Sequence, residues 1–177
     1  MLTNKFGRGK CLMTGNDKND KIYTPRPIAK QVIELFDLQG KVLDAFMGDG
    51  AFYDQYPESV EKDWCEIDKG RDFFDYNEKV DWIITNPPYS ILDEVLEHSF
   101  EIADNVVYLV PISKIFTSLK RIRNILSYGN IRQIHIISAS KCGFPFGFPA
   151  CAIWFCKGYK GKTEIKEFGI DNPPTRR

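Results

Sequence analysis

The 177-residue sequence contains no apolar run long enough for a membrane span or a signal-peptide core; the longest, such as Val106-Val107-Tyr108-Leu109-Val110, have the length of a strand. Mean hydropathy is −0.31, and the expectation is a soluble, cytoplasmic protein that meets no membrane. Cysteine offers no framework either: Cys11, Cys65, Cys142, Cys151 and Cys156 form an odd set without a CxxC pair. That argues against a disulfide scaffold and against a zinc site, so reduced core thiols and no metal are expected. The most telling absence is of carboxylates. Residues 105–163 contain no Asp or Glu but nine cations: Lys114, Lys120, Arg121, Arg123, Arg132, Lys141, Lys157, Lys160 and Lys162. Residues 17–104, by contrast, hold 21 acidic and 9 basic side chains, so a net charge of zero conceals two opposite halves. Lys5, Arg8 and Lys10 add three more cations at the start. Solvated helix faces and strand-edge lysines explain such residues one at a time, but a 59-residue gap in carboxylates favours a polyanionic partner such as nucleic acid.

What is present reads as one domain of alternating strands and helices, 43% hydrophobic and 14% aromatic. Residues 1–22 are rich in Gly, Asn and Asp without apolar periodicity and read as an irregular arm with room to be mobile when nothing is bound. Thr24-Pro25 reads as a helix cap followed by a first-turn proline, with Ile28, Val32, Ile33, Leu35 and Phe36 forming the apolar face. Strands are predicted at Lys41-Val42-Leu43-Asp44, Trp64-Cys65-Glu66-Ile67, Asp81 to Thr85, Val106 to Val110, Ile131–Ile137 and Ala150–Cys156. Helices are predicted over Ser90–Ala103 and around Ser118–Leu126. This alternation implies a mainly parallel sheet covered by helices on both faces. The last two strands lack a helix between them and are expected to pair antiparallel. Residues 23–163 make up the domain, and 164–177 form a C-terminal strand or tail.

Asn86-Pro87-Pro88-Tyr89 follows directly on the apolar run Trp82-Ile83-Ile84-Thr85 and so sits at a strand end. An exocyclic amine such as adenine N6 is a poor nucleophile because its lone pair is delocalised into the ring. The Asn86 side-chain oxygen and the Pro87 carbonyl are two acceptors suited to holding its N–H groups and drawing the nitrogen toward a tetrahedral shape. Proline fixes its own φ and brings no competing donor. Tyr89 offers a ring for the base to stack on, worth roughly 1–3 kcal/mol. The four residues alone fit a Pro-Pro turn with a packing tyrosine equally well. In an open α/β sheet, however, ligands lie at the carboxyl ends of strands, and Asp44, the Gly48-Asp49-Gly50 turn, Glu66 and Asn86 all fall at such ends.

This set resembles the S-adenosyl-L-methionine-dependent amino methyltransferases, specifically the adenine-N6 DNA branch, over roughly residues 21–157. The resemblance implies a Rossmann-like class I methyltransferase fold, α/β, with an abbreviated sheet edge after the second strand. It further implies that Tyr23 and Thr24 start a helix at the methionine end of the cofactor. Asp44, Phe46, Gly48 and Gly50 correspond to the D-x-F-x-G-x-G loop, with Asp44 near the cofactor's amino group. Glu66 takes the ribose-binding position, and Asp72 and Phe73 take the pair that recognises the cofactor adenine. Taken singly, Glu66 or Asp72 could equally be solvated, Phe73 core and Thr24 a cap; their joint order carries the likeness. Asn86, Pro87, Pro88 and Tyr89 match the catalytic motif letter for letter. Lys114, Lys120, Arg121, Arg123 and Lys141 are the candidate nucleic-acid contacts. Phe146, in the Gly143–Pro149 loop, is either a second wall for the base or a hydrophobic plug under a hairpin.

Only Lys69 to Arg71 separate the Glu66-Ile67-Asp68 and Asp72-Phe73 motifs, which leaves no room for the usual helix. Residues 51–85 leave none for an inserted recognition domain, so sequence selectivity is expected from loops, the arm or a partner. No cysteine follows a proline, which argues against carbon-5 cytosine chemistry, and His98 and His135 read as structural. The same motif also serves RNA adenine or a protein glutamine amide, and a catalytically idle nucleic-acid-binding module would keep the fold. The cationic half disfavours a neutral protein acceptor without separating DNA from RNA, the intact motif set speaks against an idle module, and DNA adenine is the expected substrate with RNA open beside it.

Overall fold

The structure, a computed structural model, describes residues 23–137 and 149–168. The expected N-terminal arm and the loop residues Lys141 and Phe146 lie outside the described residues. The elements are α1 (Arg26–Glu34), β1 (Lys41–Asp44), β2 (Glu61–Trp64), β3 (Val80–Thr85), α2 (Leu92–Ile102), β4 (Ala103–Pro111), α3 (Ile112–Phe116), α4 (Leu119–Tyr128), β5 (Gly129–Ile137), β6 (Ala150–Lys157) and β7 (Glu164–Glu167). Among the described residues no helix is long and apolar enough to cross a membrane.

Seven strands form one sheet in the order β2-β1-β3-β4-β6-β5-β7. β2, β1, β3 and β4 are parallel neighbours, and β6 runs antiparallel to both β4 and β5, giving the expected late hairpin. β7 extends the sheet by pairing parallel with β5. Alternate side chains divide the core into two layers, as the period of a strand requires. Leu43, Ile83, Val106, Tyr108 and Val110 face α2, α3 and α4, which contribute Leu96, Phe100, Ile115 and Ile125. Val42, Trp82, Ile84, Val107 and Leu109 face α1, which contributes Ile28, Val32 and Ile33. Strands buried on both faces read as near-continuous apolar runs, which is why β3 and β4 stood out in the sequence. Inside the first layer Tyr108 shares a buried hydroxyl contact with Ser99 of α2.

Three local expectations need correction. The second strand lies at Glu61–Trp64, not Trp64–Ile67, because the polar stretch Glu61-Lys62-Asp63-Trp64 pairs with β1 at the sheet edge, where an apolar signal is not required. Cys65 still bonds across to β1, its N–H donating to the Asp44 carbonyl at 2.8 Å, before the chain turns at Glu66. Thr24 does not cap α1: the Pro25 carbonyl accepts from Ile28 and Ala29 at 2.9 and 3.1 Å, leaving the Thr24 hydroxyl for another partner. After Asn86-Pro87-Pro88 comes a single 3₁₀ turn, Tyr89–Ile91, and the α-helix begins only at Leu92. The sheet edge beyond β2 is abbreviated as expected, with one-turn 3₁₀ segments at Ile67–Lys69 and Phe73–Asp75 in place of a full helix.

Candidate active site

The order of strands reverses between β1 and β3: the chain steps outward from β1 to β2 and returns on the far side of β1 to form β3 and β4. A crevice opens at such a point outside the carboxyl ends. Asp44 ends β1 and Thr85 ends β3, and the two are bonded directly, Thr85 Oγ1 donating to Asp44 Oδ1 at 2.8 Å. Tyr53 N–H donates to Asp44 Oδ2 at 3.2 Å. Asp44 is fully enclosed, and burial pushes its carboxyl up to about 7 against the hydrogen bonds from Thr85, Phe46 N–H and Tyr53 N–H. Asp44 therefore braces the glycine loop against β3 from within, with no surface left to meet a ligand. Thr85 was not among the residues singled out in the sequence; its only signal is a hydroxyl at the end of an otherwise apolar strand.

Outside this brace, Gly48 and Gly50 both adopt left-handed backbone, with φ of 55° and 88°. A Cβ at Gly48 would lie 3.1 Å from the ring of Tyr23, which covers this turn from the exposed side. Gly48 N–H donates to Glu66 Oε2 at 2.7 Å, and Asp68 N–H donates to Glu66 Oε1 at 3.2 Å. The half-buried Glu66 carboxylate is thus aimed by two backbone donors and retains lone pairs for a ligand hydroxyl. Asp72 caps its own 3₁₀ turn, accepting from Phe74 N–H at 3.0 Å. Phe73 is only 2% exposed and lies among Phe46, Phe74 and His98, with ring centroids 5.2, 5.7 and 4.8 Å away. Phe73 is a core residue rather than a ligand-facing one; Phe46 and Phe74 keep exposed ring surface beside it. His98 bonds the Tyr76 carbonyl at 2.9 Å and His135 bonds Gln133 at 3.0 Å, structural positions for both.

Asn86 leaves β3 at the same edge, with Pro87 and Pro88 buried behind it. Its Nδ2 donates to Thr24 Oγ1 at 3.2 Å, and its Oδ1 accepts from the Tyr89 hydroxyl at 3.2 Å. The amide is therefore oriented from both sides. Tyr89 is half-buried, packed against the helix-side core, and its ring has the Lys114 ammonium 5.8 Å from its centroid. Asp44, Thr85, Asn86 and Thr24 form a continuous hydrogen-bonded path, broken only by the one peptide between Thr85 and Asn86, from the glycine loop to the start of α1.

The charge division in the sequence is partly cancelled by the fold. α2, from the acidic half, packs beside α4, so Asp93 pairs with Arg121 at 2.8 Å and Glu97 with Lys120 at 2.9 Å. Asp104 pairs with Lys157 at 2.7 Å across the sheet. Arg121 is 11% exposed at its side chain and also donates to the Lys114 carbonyl, so it is a strut between helices, not a free contact as the sequence suggested. Lys114 and Arg123 are exposed and have no carboxylate partner among the described residues. A cavity of about 440 Å³ between α1 and Gln55-Pro57 lies away from the strand ends and gathers none of these groups.

No protein-family model and no curated protein matches the chain. Solved structures do. The methyltransferase subunit of a type I restriction-modification system from Streptococcus thermophilus superposes with a TM-score of 0.63 at 17% identity, over 85% of this chain and 48% of its own. A modification subunit assigned to a type I restriction enzyme of Vibrio vulnificus gives 0.62 at 14% identity, over 92% and 49%. A Listeria monocytogenes protein assigned to the class I S-adenosylmethionine-dependent methyltransferases gives 0.70 at 12% identity, over 88% and 69%. The chain thus spans about half the length of the restriction-modification subunits. At such identities the likeness speaks to architecture, and with the strand order it leads to one conclusion: this chain has the Rossmann-like α/β fold of the class I methyltransferases.

Proposed function

We propose that the protein binds S-adenosyl-L-methionine and methylates N6 of adenine in DNA, the base being flipped from a duplex or presented in a single strand. The observation that carries this reading is the orientation of Asn86 at the carboxyl end of β3, with Nδ2 held by Thr24 and Oδ1 turned toward Tyr89. The cofactor fits the neighbouring turn: two glycines in left-handed backbone, a Cβ at Gly48 that would lie tight against the Tyr23 ring at 3.1 Å, and the Glu66 carboxylate placed for ribose hydroxyls. Asp72 and the exposed surface of Phe46 and Phe74 suit the amino group and face of an adenine ring. Bound there, the cofactor supplies a methyl group on a positively charged sulfur.

The chain's own residues do the rest by positioning. Asn86 Oδ1 and the Pro87 carbonyl accept the two amine hydrogens, which directs the nitrogen lone pair outward. An amide oxygen has two lone pairs, so the amine arrives beside the Tyr89 hydroxyl or in its place. The Tyr89 ring then stacks on the base, and the Lys114 ammonium moves from the ring face to a phosphate. Exposed Lys114 and Arg123, within the segment without carboxylates, favour a nucleic acid as acceptor, and the likeness to restriction-modification methyltransferase subunits favours DNA.

The test is a labelled-cofactor assay against unmethylated DNA, RNA and protein. Transfer to DNA, with the label recovered in N6-methyladenine, supports the reading. Efficient transfer to RNA or protein with none to DNA overturns the substrate, and cofactor binding without transfer anywhere supports an idle module.

A further inference from the structure

Three large apolar side chains near the clamp remain in solvent: Ile112 is 36% exposed, Phe116 49% and Leu119 75%. Ile112 and Phe116 stand one turn apart on α3 and share a face. Their mount is rigid. Ile115 between them is fully buried, and Arg121 ties α3 to α2 by donating to both the Lys114 carbonyl and Asp93. The Ser118 side chain caps α4 by accepting from Arg121 N–H at 3.2 Å. Apolar surface held out on a braced element becomes favourable only when something apolar covers it.

Position and charge indicate the occupant. β3 and β4 are parallel neighbours, so Asn86 and α3 leave the sheet at the same edge, and the Lys114 ammonium of α3 lies over the Tyr89 ring, 5.8 Å from its centroid. Lys114, between Ile112 and Phe116 in α3, and Arg123, one turn after Leu119 in α4, are exposed cations. A partner that offers flat apolar faces and an anionic backbone together is a nucleic-acid duplex with its stack opened.

We propose that α3 is a wedge. Phe116, with Ile112 and Leu119 beside it, enters a DNA duplex where the target adenine has been extruded, while Lys114 and Arg123 hold adjacent phosphates. This rests on the adenine reading above. Extrusion leaves the neighbouring bases unstacked, and an apolar side chain in the gap recovers part of that cost. A single strand presents no such gap.

Methyl transfer should be compared on one unmethylated DNA as duplex and as separated strands, using wild type, Phe116→Ala and Phe116→Trp. Phe116→Ala should lower transfer to duplex about tenfold, the loss of one stacking contact, and leave single-strand transfer within about twofold. Phe116→Trp should retain duplex activity, and cofactor binding by both variants verifies that they fold. Equal losses on both substrates overturn the wedge, as does no loss on either, which would give the patch to a protein. A wild type active only on single strands overturns the wedge and leaves the clamp; one silent on both removes the clamp reading as well.

Discussion

Raising the pH should destabilise this fold through Asp44, the reverse of a carboxylate in a salt bridge. The group is fully buried, and burial pushes its carboxyl up to about 7 even with three donors pulling it down. In the unfolded chain it ionises near about 3.9. Between these values the folded state holds a proton that the unfolded state has released, so unfolding free energy falls as pH rises from about 4 to about 7 and is level above. A gap of about three units sets a ceiling of about 4 kcal/mol, at roughly 1.4 kcal/mol per unit. His135 acts in the opposite sense: burial, with help from Lys166, holds its pKa below the ordinary value. Its contribution is present above about 6.5 and is lost as pH falls. Asp44→Asn separates the two, because His135 is common to both proteins. Urea unfolding at steps from about pH 4.5 to 8 should show the stability of wild type minus variant falling by about 2–4 kcal/mol across the window, with m unchanged. A constant or rising difference refutes the account of Asp44. Thr85→Val offers a second check: it removes a donor that holds the folded-state carboxyl down, so the upper end of the window should extend to higher pH while the lower end stays in place.

Thr24→Val keeps the shape of the side chain but takes away the acceptor that orients Asn86; kcat should fall about tenfold with cofactor affinity nearly unchanged. A loss confined to cofactor binding would instead assign Thr24 to the cofactor. Gly48→Ala forces a Cβ into left-handed backbone against Tyr23, so thermal melting should reveal about 1–2 kcal/mol of destabilisation and titration a weaker cofactor site. Arg121→Ala should cost about 1.5–3 kcal/mol in urea unfolding, because it leaves Asp93 and the Lys114 carbonyl without their donor. Arg123→Ala should leave stability unchanged while reducing the salt slope of DNA binding by about one.

The parallel centre of this sheet is legible because strands buried on both faces are written as apolar runs, and Asp44 and Asn86 at the ends of β1 and β3 mark the site. β2 is misplaced by three residues because an edge strand with one solvated face carries Glu61-Lys62-Asp63 without penalty. α3 is too short for a helical period to emerge. Thr24 has the letters of a cap, and only the position of Asn86, 62 residues later, diverts its hydroxyl. The segregation of charge is plain in one dimension, yet Asp93, Glu97 and Asp104 find their cations through the packing of α2 on α4 and β4 on β6, which composition cannot express. Phe73 and Phe74 are adjacent and alike in the sequence, and both lie beside His98 of α2, yet only Phe73 is buried.

The clamp itself is tested most directly by identifying the methylated nucleoside. Unmethylated DNA incubated with labelled cofactor and then digested should carry the label in N6-methyl-2′-deoxyadenosine. Asn86→Ala should reduce that signal by about 10²–10³ while still binding cofactor. Label recovered in any other nucleoside, or full activity in Asn86→Ala, contradicts the assignment of Asn86 as the group that holds the adenine amine.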